Sequence, residues 1–306
     1  MEAGLPAYGL AATMMVKGID AIALSSTPIV LLQDQTPVSL GTGFFFAHPI
    51  AEGQFVISLV TNYHVVTGSA PRRRQPPKGN AIQFEIRRAD VDVVKVTRVR
   101  FPLLTSDGKK TWLSCPTFPE ADVAVVPLPL NQGMFETAPY CLDQATMDFD
   151  LTPFPGQSVS IVGYPWGLSD RVNKLPLWKT GHIASEPELD FDGDPKFLVD
   201  VTGRKGMSGA PVFAGHMHPY LTRSGQLRYK SSGKLLGVYA SSVIRQESAD
   251  ASPEELSIEE ASEGLESEGS LRAELGIAWK SRLISETLSS LDLPSYRKEV
   301  WSRLGP

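Results

Sequence analysis

AIQFEIR, the stretch at residues 81–87, alternates apolar and polar side chains along its whole length. Successive side chains of a β-strand point to opposite faces, so this alternation predicts a strand with one buried face. The apolar set is Ile82, Phe84 and Ile86, and the polar set is Gln83, Glu85 and Arg87. Similar apolar runs precede it: IVLL at 29–32, GFFF at 43–46 and QFVISLV at 54–60. These runs predict an N-terminal β unit over residues 20–130.

A second series of short apolar runs follows and predicts another β unit over residues 150–290. Its members are SVSIVGYP, KTGHIAS, KFLVDVT, APVF, KLLGVYASSV and LGIAW. Residues 127–156 are rich in proline and poor in periodicity, which indicates a linker between the two units. The 24 prolines and 26 glycines are spread along the chain between the runs, as is typical of an all-β protein.

Charge and periodicity change towards the end of the chain. Residues 246–270 hold nine acidic side chains and no basic one, so the rest of the chain carries +4 although the whole carries −5. Low hydrophobicity and charge of one sign predict a flexible surface insertion there. In KSRLISETLSSLDL, Leu283, Ile284, Leu288 and Leu291 fall on one helical face before Pro294. This pattern predicts one C-terminal α-helix, with a tail, within residues 280–306.

Several classes of protein are disfavoured by composition. No stretch approaches the roughly 18 uninterrupted apolar residues of a membrane helix. Two cysteines, Cys115 and Cys141, are too few for a disulfide framework and favour a reducing compartment. The N-terminus has no basic lead and its apolar part is interrupted by Lys17 and Asp20, unlike a signal peptide. We therefore expect a cytoplasmic protein without a membrane partner.

Three residues have the settings that nucleophilic catalysis requires. Ser208 lies in GMSGAPVF, where Gly206 and Gly209 let the backbone turn so that N–H groups converge on one spot. A serine hydroxyl needs a base, and His64 in TNYHVV follows the apolar strand FVISLV, which would support it rigidly. Asp122 opens the apolar run DVAVVPL, where a carboxylate needs a partner or solvent. An imidazole N–H would satisfy it.

Taken together, these segments resemble the landmarks of the trypsin-like serine peptidases, in the same order along the chain. The matching segments are GTGFFF at 41–46, TNYHVV at 61–66, DVAVVPL at 122–128, GYPWG at 163–167 and GMSGAPVF at 206–213. The likeness is strongest to the bacterial HtrA-type branch, whose histidine motif is similar to TNYHVV and which has an aspartate where Asp200 stands. The order His, Asp, Ser agrees with this family and not with subtilisins or α/β-hydrolases.

The resemblance implies a fold of two six-stranded antiparallel β-barrels with the active site between them. His64 would be the general base, Asp122 its orienting partner and Ser208 the nucleophile of a peptidase that forms an acyl-enzyme. The oxyanion hole would be formed by Gly206, Met207 and Ser208, with N–H groups from the first and last. By family analogy the substrate pocket involves Thr202, Ala240, Ser241 and Ser242, which suggests a roomy or mildly polar pocket.

The chain also departs from family patterns. Met207 replaces the aspartate with which digestive members pair a newly cut N-terminus, so that activation route is not expected. Ala210 replaces a usual glycine, and Thr202 replaces the aspartate that gives trypsin its preference for basic residues. We expect no PDZ-like module after the protease region, and we therefore expect a peptidase with few, regulated protein substrates and a possible regulatory partner.

Two other function classes remain open at this point. One is a catalytically inactive protease fold used for binding. The other is a nucleic-acid-associated protein using the run RRRQPPK at 72–78, which lacks interleaved aromatic residues. His216 and His218 form an HMH motif without a third ligand nearby, so neither a metal nor a cofactor is expected. We expect no nucleic-acid partner and a protein or peptide as substrate.

Overall fold

The structure, a computed structural model, describes residues 15–16, 19–51, 54–89, 94–130, 139–215, 220–222, 224–228, 233–245, 258–260 and 272–304. The strands in chain order are β1 Met15–Val16, β2 Ile19–Asp20, β3 Ser26–Gln33, β4 Thr36–Ala51, β5 Gln54–Thr61, β6 Ala81–Ala89, β7 Val94–Pro102, β8 Ala124–Pro127, β9 Leu142–Asp143, β10 Ser158–Gly163, β11 Leu177–Ile183, β12 Lys196–Asp200, β13 Pro211–Ala214, β14 Tyr220–Leu221, β15 Leu227–Arg228, β16 Lys234–Arg245, β17 Ile258–Glu260 and β18 Arg272–Lys280. The α-helices are α1 Ala21–Ser25, α2 Tyr63–Thr67, α3 Gln144–Met147, α4 Arg282–Ser289 and α5 Leu293–Glu299. Short 3₁₀ turns cover Pro71–Arg73, Pro165–Gly167 and Trp301–Arg303.

The second half of the described chain forms a closed six-stranded barrel. Its strands follow the order β13-β10-β11-β12-β18-β16, and β13 pairs with β16 to close the ring. All of these pairings are antiparallel, and each strand coincides with one of the six predicted apolar runs. The C-terminal barrel of the sequence-based prediction is therefore confirmed.

The first half forms a sheet in the order β7-β6-β3-β4-β5-β8, with antiparallel neighbours. Between its two edge strands, backbone hydrogen bonds run from Thr111 N to Leu103 O and from Leu113 N to Val125 O. That these bonds make the first sheet a second barrel stays a prediction. Strand β7 was missed in the sequence because its basic residues obscure the alternation. The edge position explains that composition, since charges on an edge strand discourage pairing with other chains.

Two segments predicted to lack regular structure contribute short strands. β9, inside the predicted linker, pairs with β4 in parallel, Phe46 opposite Leu142. This parallel pair lies off the path of the antiparallel sheet and adds a short strand beside β4. β17, inside the predicted acidic insertion, pairs with β16, Ile244 opposite Glu259. Backbone pairing needs no apolar side chain, so a polar segment can extend a sheet edge. The other residues of the insertion lie outside the described residues.

The middle of β4, residues 41–47, is buried on both faces and connects two cores. Phe45 belongs to the core of the first sheet, beside Phe84 at 5.9 Å between ring centroids. Phe44 and Phe46 point the other way, into a core that also holds Val162, Phe213 and Val238 of the second barrel. Strand alternation at period two explains this division. The two halves of the chain therefore share apolar packing, which fixes their relative position.

The alternation in β6 is confirmed at its apolar positions but not at Arg87. Ile82, Phe84 and Ile86 are buried as predicted. Arg87 is buried as well, because its guanidinium donates to the carbonyls of Ser26 and Lys174 and pairs with Glu85 at 3.1 Å. A buried charge is tolerated when it is paired and hydrogen-bonded in this way.

The C-terminal segment contains two α-helices and a 3₁₀ turn, whereas the sequence predicted one helix. α4 buries Leu283, Ile284 and Leu288 as expected. Pro294 lies in the first turn of α5 and does not end the helical segment, because proline fits the first turn of a helix. Asp292 caps this helix. Both helices pack on the first sheet, where the Tyr296 hydroxyl donates to Thr111 O at 2.8 Å.

Trp301 attaches this segment to the first sheet, and its replacement should be costly. The ring is 6% exposed, lies 5.8 Å from the Tyr296 ring, and donates from Nε1 to Pro127 O at 3.1 Å. Trp301→Ala is expected to lower the free energy of unfolding by about 3–5 kcal/mol in urea titrations. Trp178→Ala, at a side chain that is 38% exposed, is the matched control and should cost much less. A loss of unfolding free energy in Trp301→Ala no larger than that in Trp178→Ala would show that the C-terminal segment adds little stability.

The sequence-based expectations about disulfides, membrane helices, metal sites and the basic run can be compared with the described residues. Cys115 and Cys141 are not joined by a disulfide. In the described part of the chain, no helix is long and apolar enough to cross a membrane. Among those same residues no cluster of three metal-ligating side chains occurs, and His216 and His218 lie outside them. Within the basic run, Arg72 pairs with Glu120 at 3.2 Å, so part of its charge is offset.

Candidate active site

His64 and Asp122 meet because their strands are neighbours. β5 ends at Thr61, and in the antiparallel pair Thr61 lies opposite Ala124 at the start of β8. His64 follows β5 in α2, while Asp122 precedes β8. Asp122 Oδ2 lies 2.5 Å from His64 Nδ1, and Asp122 Oδ1 accepts the backbone N–H of His64 at 2.9 Å. One carboxylate therefore holds both the ring and the backbone of the histidine.

The His64–Asp122 pair is largely shielded from solvent, and the carboxylate decides which ring nitrogen carries the proton. The Asp122 side chain is 3% exposed and that of His64 is 16% exposed. A carboxylate accepts hydrogen bonds only, so Nδ1 carries the proton and Nε2 holds the basic lone pair. Asn62 supports the arrangement by donating from Nδ2 to Asp122 O at 2.5 Å. Burial, and then the negative charge of Asp122, raise the pKa of neighbouring Tyr63, which therefore stays protonated at neutral pH.

Ser208 lies in a loop whose shape depends on two glycines. Gly206 and Gly209 have φ of +90° and +89°, in the region that side chains with a Cβ avoid. A Cβ on Gly209 would overlap Thr42 O and Thr61 Oγ1. Between the glycines, the Met207 side chain is buried in the core of the second barrel and anchors the loop. The GMSG spacing thus produces a tight turn that carries Ser208, which is 8% exposed.

Strand β4 lies between the histidine helix and the serine loop. A Cβ on Gly41 would come 2.6 Å from Val65 Cγ2 and 3.2 Å from Ser208 O, so both segments touch this glycine. Thr42 N donates to Ser208 O at 2.7 Å. Because Val65 directly follows His64, β4 brings the serine loop next to the histidine. Asp122 and His64 are thus in direct contact, and the loop of Ser208 lies against the same glycine as the residue after His64.

The backbone of the serine loop forms a candidate anion-binding site. Within residues 203–210, all of which are described, the N–H groups of Met207, Gly209 and Ala210 donate to backbone carbonyls, whereas those of Gly206 and Ser208 do not. The Lys205 carbonyl accepts from Trp166 N at 2.6 Å. In a planar trans peptide the N–H points opposite to the C=O, so this bond turns Gly206 N–H away from Trp166. Met207 was predicted as part of the oxyanion hole, but its N–H is used by Arg204 O at 3.1 Å.

A comparison with protein families agrees with this geometry. The family described as trypsin-like peptidase domain matches residues 41–217, which is more than half of the chain. The chain belongs to this family. The matched region begins at Gly41 and contains His64, Asp122 and Ser208. The trypsin-like peptidases are serine peptidases, and the predicted family is confirmed.

Comparisons with individual proteins are less informative than the family match. A serine endoprotease from Yersinia pestis has a solved structure that is similar at 13% sequence identity with a TM-score of 0.42. The similarity covers 87% of this chain and 62% of that chain, so the present chain spans less than two thirds of its length. No curated protein matches the sequence.

The predicted pocket residues of this trypsin-like peptidase lie beside the serine loop. Gly209 N donates to Tyr239 O at 2.7 Å and Tyr239 N to Ala210 O at 2.8 Å, which places β16 against the loop. Ala240 is fully buried, and the Thr202 carbonyl accepts from Lys179 Nζ. Burial, and then the charge of Arg204, lower the pKa of Lys179. The side chains of Ser241 and Ser242 lie outside the described residues, so their part in a pocket stays a prediction.

Sequence reasoning missed three residues around the site. Thr42 and Trp166 hydrogen-bond to the serine loop, and the Tyr239 ring fills the space beside Gly276, where a Cβ would meet it at 2.5 Å. The signal for Thr42 was available, because it is a hydroxyl between two glycines at the start of an apolar run. Trp166 acts through its backbone, which no side-chain pattern reveals. The Tyr239 ring is buried in the core of the second barrel, and the roomy pocket stays a prediction.

Proposed function

We propose that this trypsin-like peptidase is an active serine endopeptidase with His64, Asp122 and Ser208 as its catalytic triad. The observation that carries the proposal is that both Asp122 carboxylate oxygens contact His64. Oδ2 lies 2.5 Å from the ring Nδ1, and Oδ1 accepts the backbone N–H at 2.9 Å. A histidine so oriented presents Nε2 as a base, which is what a serine hydroxyl needs to become a nucleophile.

In the proposed reaction, Ser208 Oγ attacks the carbonyl carbon of the scissile peptide bond while His64 Nε2 takes the hydroxyl proton. The carbonyl oxygen becomes an oxyanion and accepts hydrogen bonds from Gly206 N–H and Ser208 N–H. His64 then donates its proton to the leaving amine, the C–N bond breaks, and an ester forms on Ser208. Water, deprotonated by His64, attacks that ester in turn and releases the acid product with the free enzyme.

Covalent labelling tests this proposal directly. A fluorophosphonate probe reacts with a serine only where a neighbouring base activates it. We expect one probe per chain, located by peptide mapping on the peptide that contains Ser208, and no label after heat denaturation. Labelling should be blocked when the chain is first treated with phenylmethylsulfonyl fluoride. A native chain that takes up no probe would favour the alternative, a catalytically inactive protease fold that binds its partner without cleaving it.

Finer expectations about this peptidase remain proposals of the same kind. They are its location in the cytoplasm, its relation to the HtrA-type branch, its few protein substrates and a regulatory partner. Cleavage of a peptide library, followed by sequencing of the products, would define the substrate residues on both sides of the cut. A product set with one strong consensus would support regulated cleavage of few targets, whereas a broad set would argue for general degradation.

A further inference from the structure

Thr42 connects three segments of the candidate active site with its hydrogen bonds. Its Oγ1 donates to Gly206 O at 2.7 Å and accepts from Tyr164 N at 3.0 Å. Its backbone N donates to Ser208 O at 2.7 Å, and its backbone O accepts from Thr61 Oγ1 at 2.6 Å. The residue is fully buried. One side chain in β4 therefore joins the serine loop to the GYPWG segment, while its backbone reaches the strand that leads to His64.

The two peptide groups on either side of Gly206 are held from outside the serine loop. The Lys205 carbonyl is fixed by Trp166 N at 2.6 Å, and the Gly206 carbonyl is fixed by Thr42 Oγ1. Tyr164 and Trp166 belong to the same short segment, so Thr42 also restrains the segment that supplies the Trp166 bond. A glycine with φ of +90° has access to many other conformations, so without these bonds little would fix the direction of its N–H.

We infer that Thr42 is a positioning residue for the oxyanion hole, acting through its hydroxyl on the Gly206 peptide groups. This inference rests on the proposed function, because an oxyanion hole is needed only if Ser208 is acylated. Thr42 does not touch the reacting atoms. Its hydroxyl keeps the Gly206 N–H in the orientation that meets the oxyanion, and small errors in such geometry reduce turnover strongly.

The structure offers a matched control for the loss of a buried threonine hydroxyl. Thr27 in β3 is also fully buried, and its Oγ1 donates to Glu85 O and accepts from Glu85 N, both at 2.8 Å. It therefore makes the same kinds of bond as Thr42, in the same sheet, without touching the serine loop. A purely structural effect should be similar for the two threonines, whereas an effect on the oxyanion hole should be limited to Thr42.

The experiment compares Thr42→Val, Thr42→Ser and Thr27→Val with the parent chain. kcat and KM are measured for the best-cleaved peptide from the library, and affinity is measured for phenylboronic acid, which forms a tetrahedral adduct on an active serine. Thr42→Val is expected to lower kcat by about 100-fold, with KM changed by less than about 3-fold. The reason is that the lost hydroxyl bonds orient an N–H group that binds the oxyanion of the transition state and not the bound substrate. Affinity for phenylboronic acid should fall in parallel. Thr42→Ser keeps the hydroxyl and should retain most of the activity.

Thr27→Val should lower the melting temperature about as much as Thr42→Val but leave kcat and phenylboronic acid affinity near those of the parent. If Thr42→Val does not fold, Thr42→Ala is used, because it places no methyl group against Gly206 O and should show the same loss of kcat. Two results would overturn this inference and leave the proposed function intact. One is an active parent whose Thr42→Val or Thr42→Ala variant is equally active. The other is an equal loss of kcat in Thr27→Val and Thr42→Val. A parent that neither cleaves the library nor binds the fluorophosphonate would overturn the proposed function and this inference with it.

Discussion

Replacing Ser208 by alanine is expected to lower kcat for peptide hydrolysis by about 10⁶-fold, the largest effect of any single change in this chain. The substitution removes the oxygen that we propose forms the acyl bond, while the proposed oxyanion N–H groups and the substrate contacts remain. Residual hydrolysis should therefore be limited to what binding and the oxyanion hole provide, about 10³–10⁴-fold over water. The fold should persist because Ser208 packs little of the core, and melting curves would show this.

Ser106→Ala is the control for this change. Ser106 is exposed, lies outside the serine loop and bonds through its backbone N to Arg303 O at 3.4 Å, which the substitution keeps. The control should cleave the library at the parent rate and should take up the fluorophosphonate on Ser208. Turnover by Ser208→Ala at a tenth of the parent rate or more would mean that another residue is the nucleophile.

Asp122→Asn is expected to lower kcat by about 10⁴-fold with little change in stability. In the parent, Asp122 Oδ1 accepts the His64 backbone N–H and Oδ2 faces Nδ1. An asparagine has one oxygen and one NH₂ group, and the backbone N–H requires the oxygen. The NH₂ group then faces Nδ1, which must give up its proton to accept the bond. The proton moves to Nε2, so the nitrogen that should act as base no longer can.

Asp143→Asn is the matched control for losing a buried carboxylate. Asp143 caps α3 by accepting from Thr146 N at 3.1 Å, which an asparagine oxygen can also do, and it does not contact the active site. Burial is the main cause that raises the pKa of Asp143, so the fold penalises its charged form, and a neutral amide does not meet this penalty. kcat should remain at the parent value. If Asp122→Asn kept more than a tenth of the parent kcat, orientation of His64 by Asp122 would be excluded.

The sequence predicts which side chains are buried where burial follows from a local pattern, but not where it depends on partners far away in the chain. Ile82, Phe84 and Ile86 were predictable because burial follows from apolar alternation alone. Arg87 was not, because its burial depends on carbonyls of Ser26 and Lys174 that lie far away in the sequence. The same holds for β9 and β17, whose backbone pairing leaves no pattern in the side chains. Tertiary partners decide these cases, and a single sequence does not identify them.

The candidate site shows a similar division. His64, Asp122 and Ser208 carry chemical groups whose roles are recognisable in an ordered set of motifs. Met207 was assigned to the oxyanion hole from its place between two contributors, yet the direction of its N–H depends on a turn that bonds it to Arg204 O. Thr42 and Trp166 orient the backbone and do not react, so their importance became visible only with the hydrogen bonds. Reactive groups are thus easier to predict than the residues that position them.

The packing of α4, α5 and Trp301 on the first sheet has a consequence for biosynthesis. A ribosome delivers the strands of that sheet first, and at about 5–20 residues per second the chain from Pro127 to Trp301 takes roughly 10–35 seconds more to emerge. During this interval the apolar surface that later receives Leu283, Ile284 and Trp301 stays without its native cover. We expect the nascent chain to depend on chaperones in this period and to gain proteolytic activity only after its last helix has left the ribosome. A chain that assembles in this order cannot cleave itself before its C-terminal helices have packed.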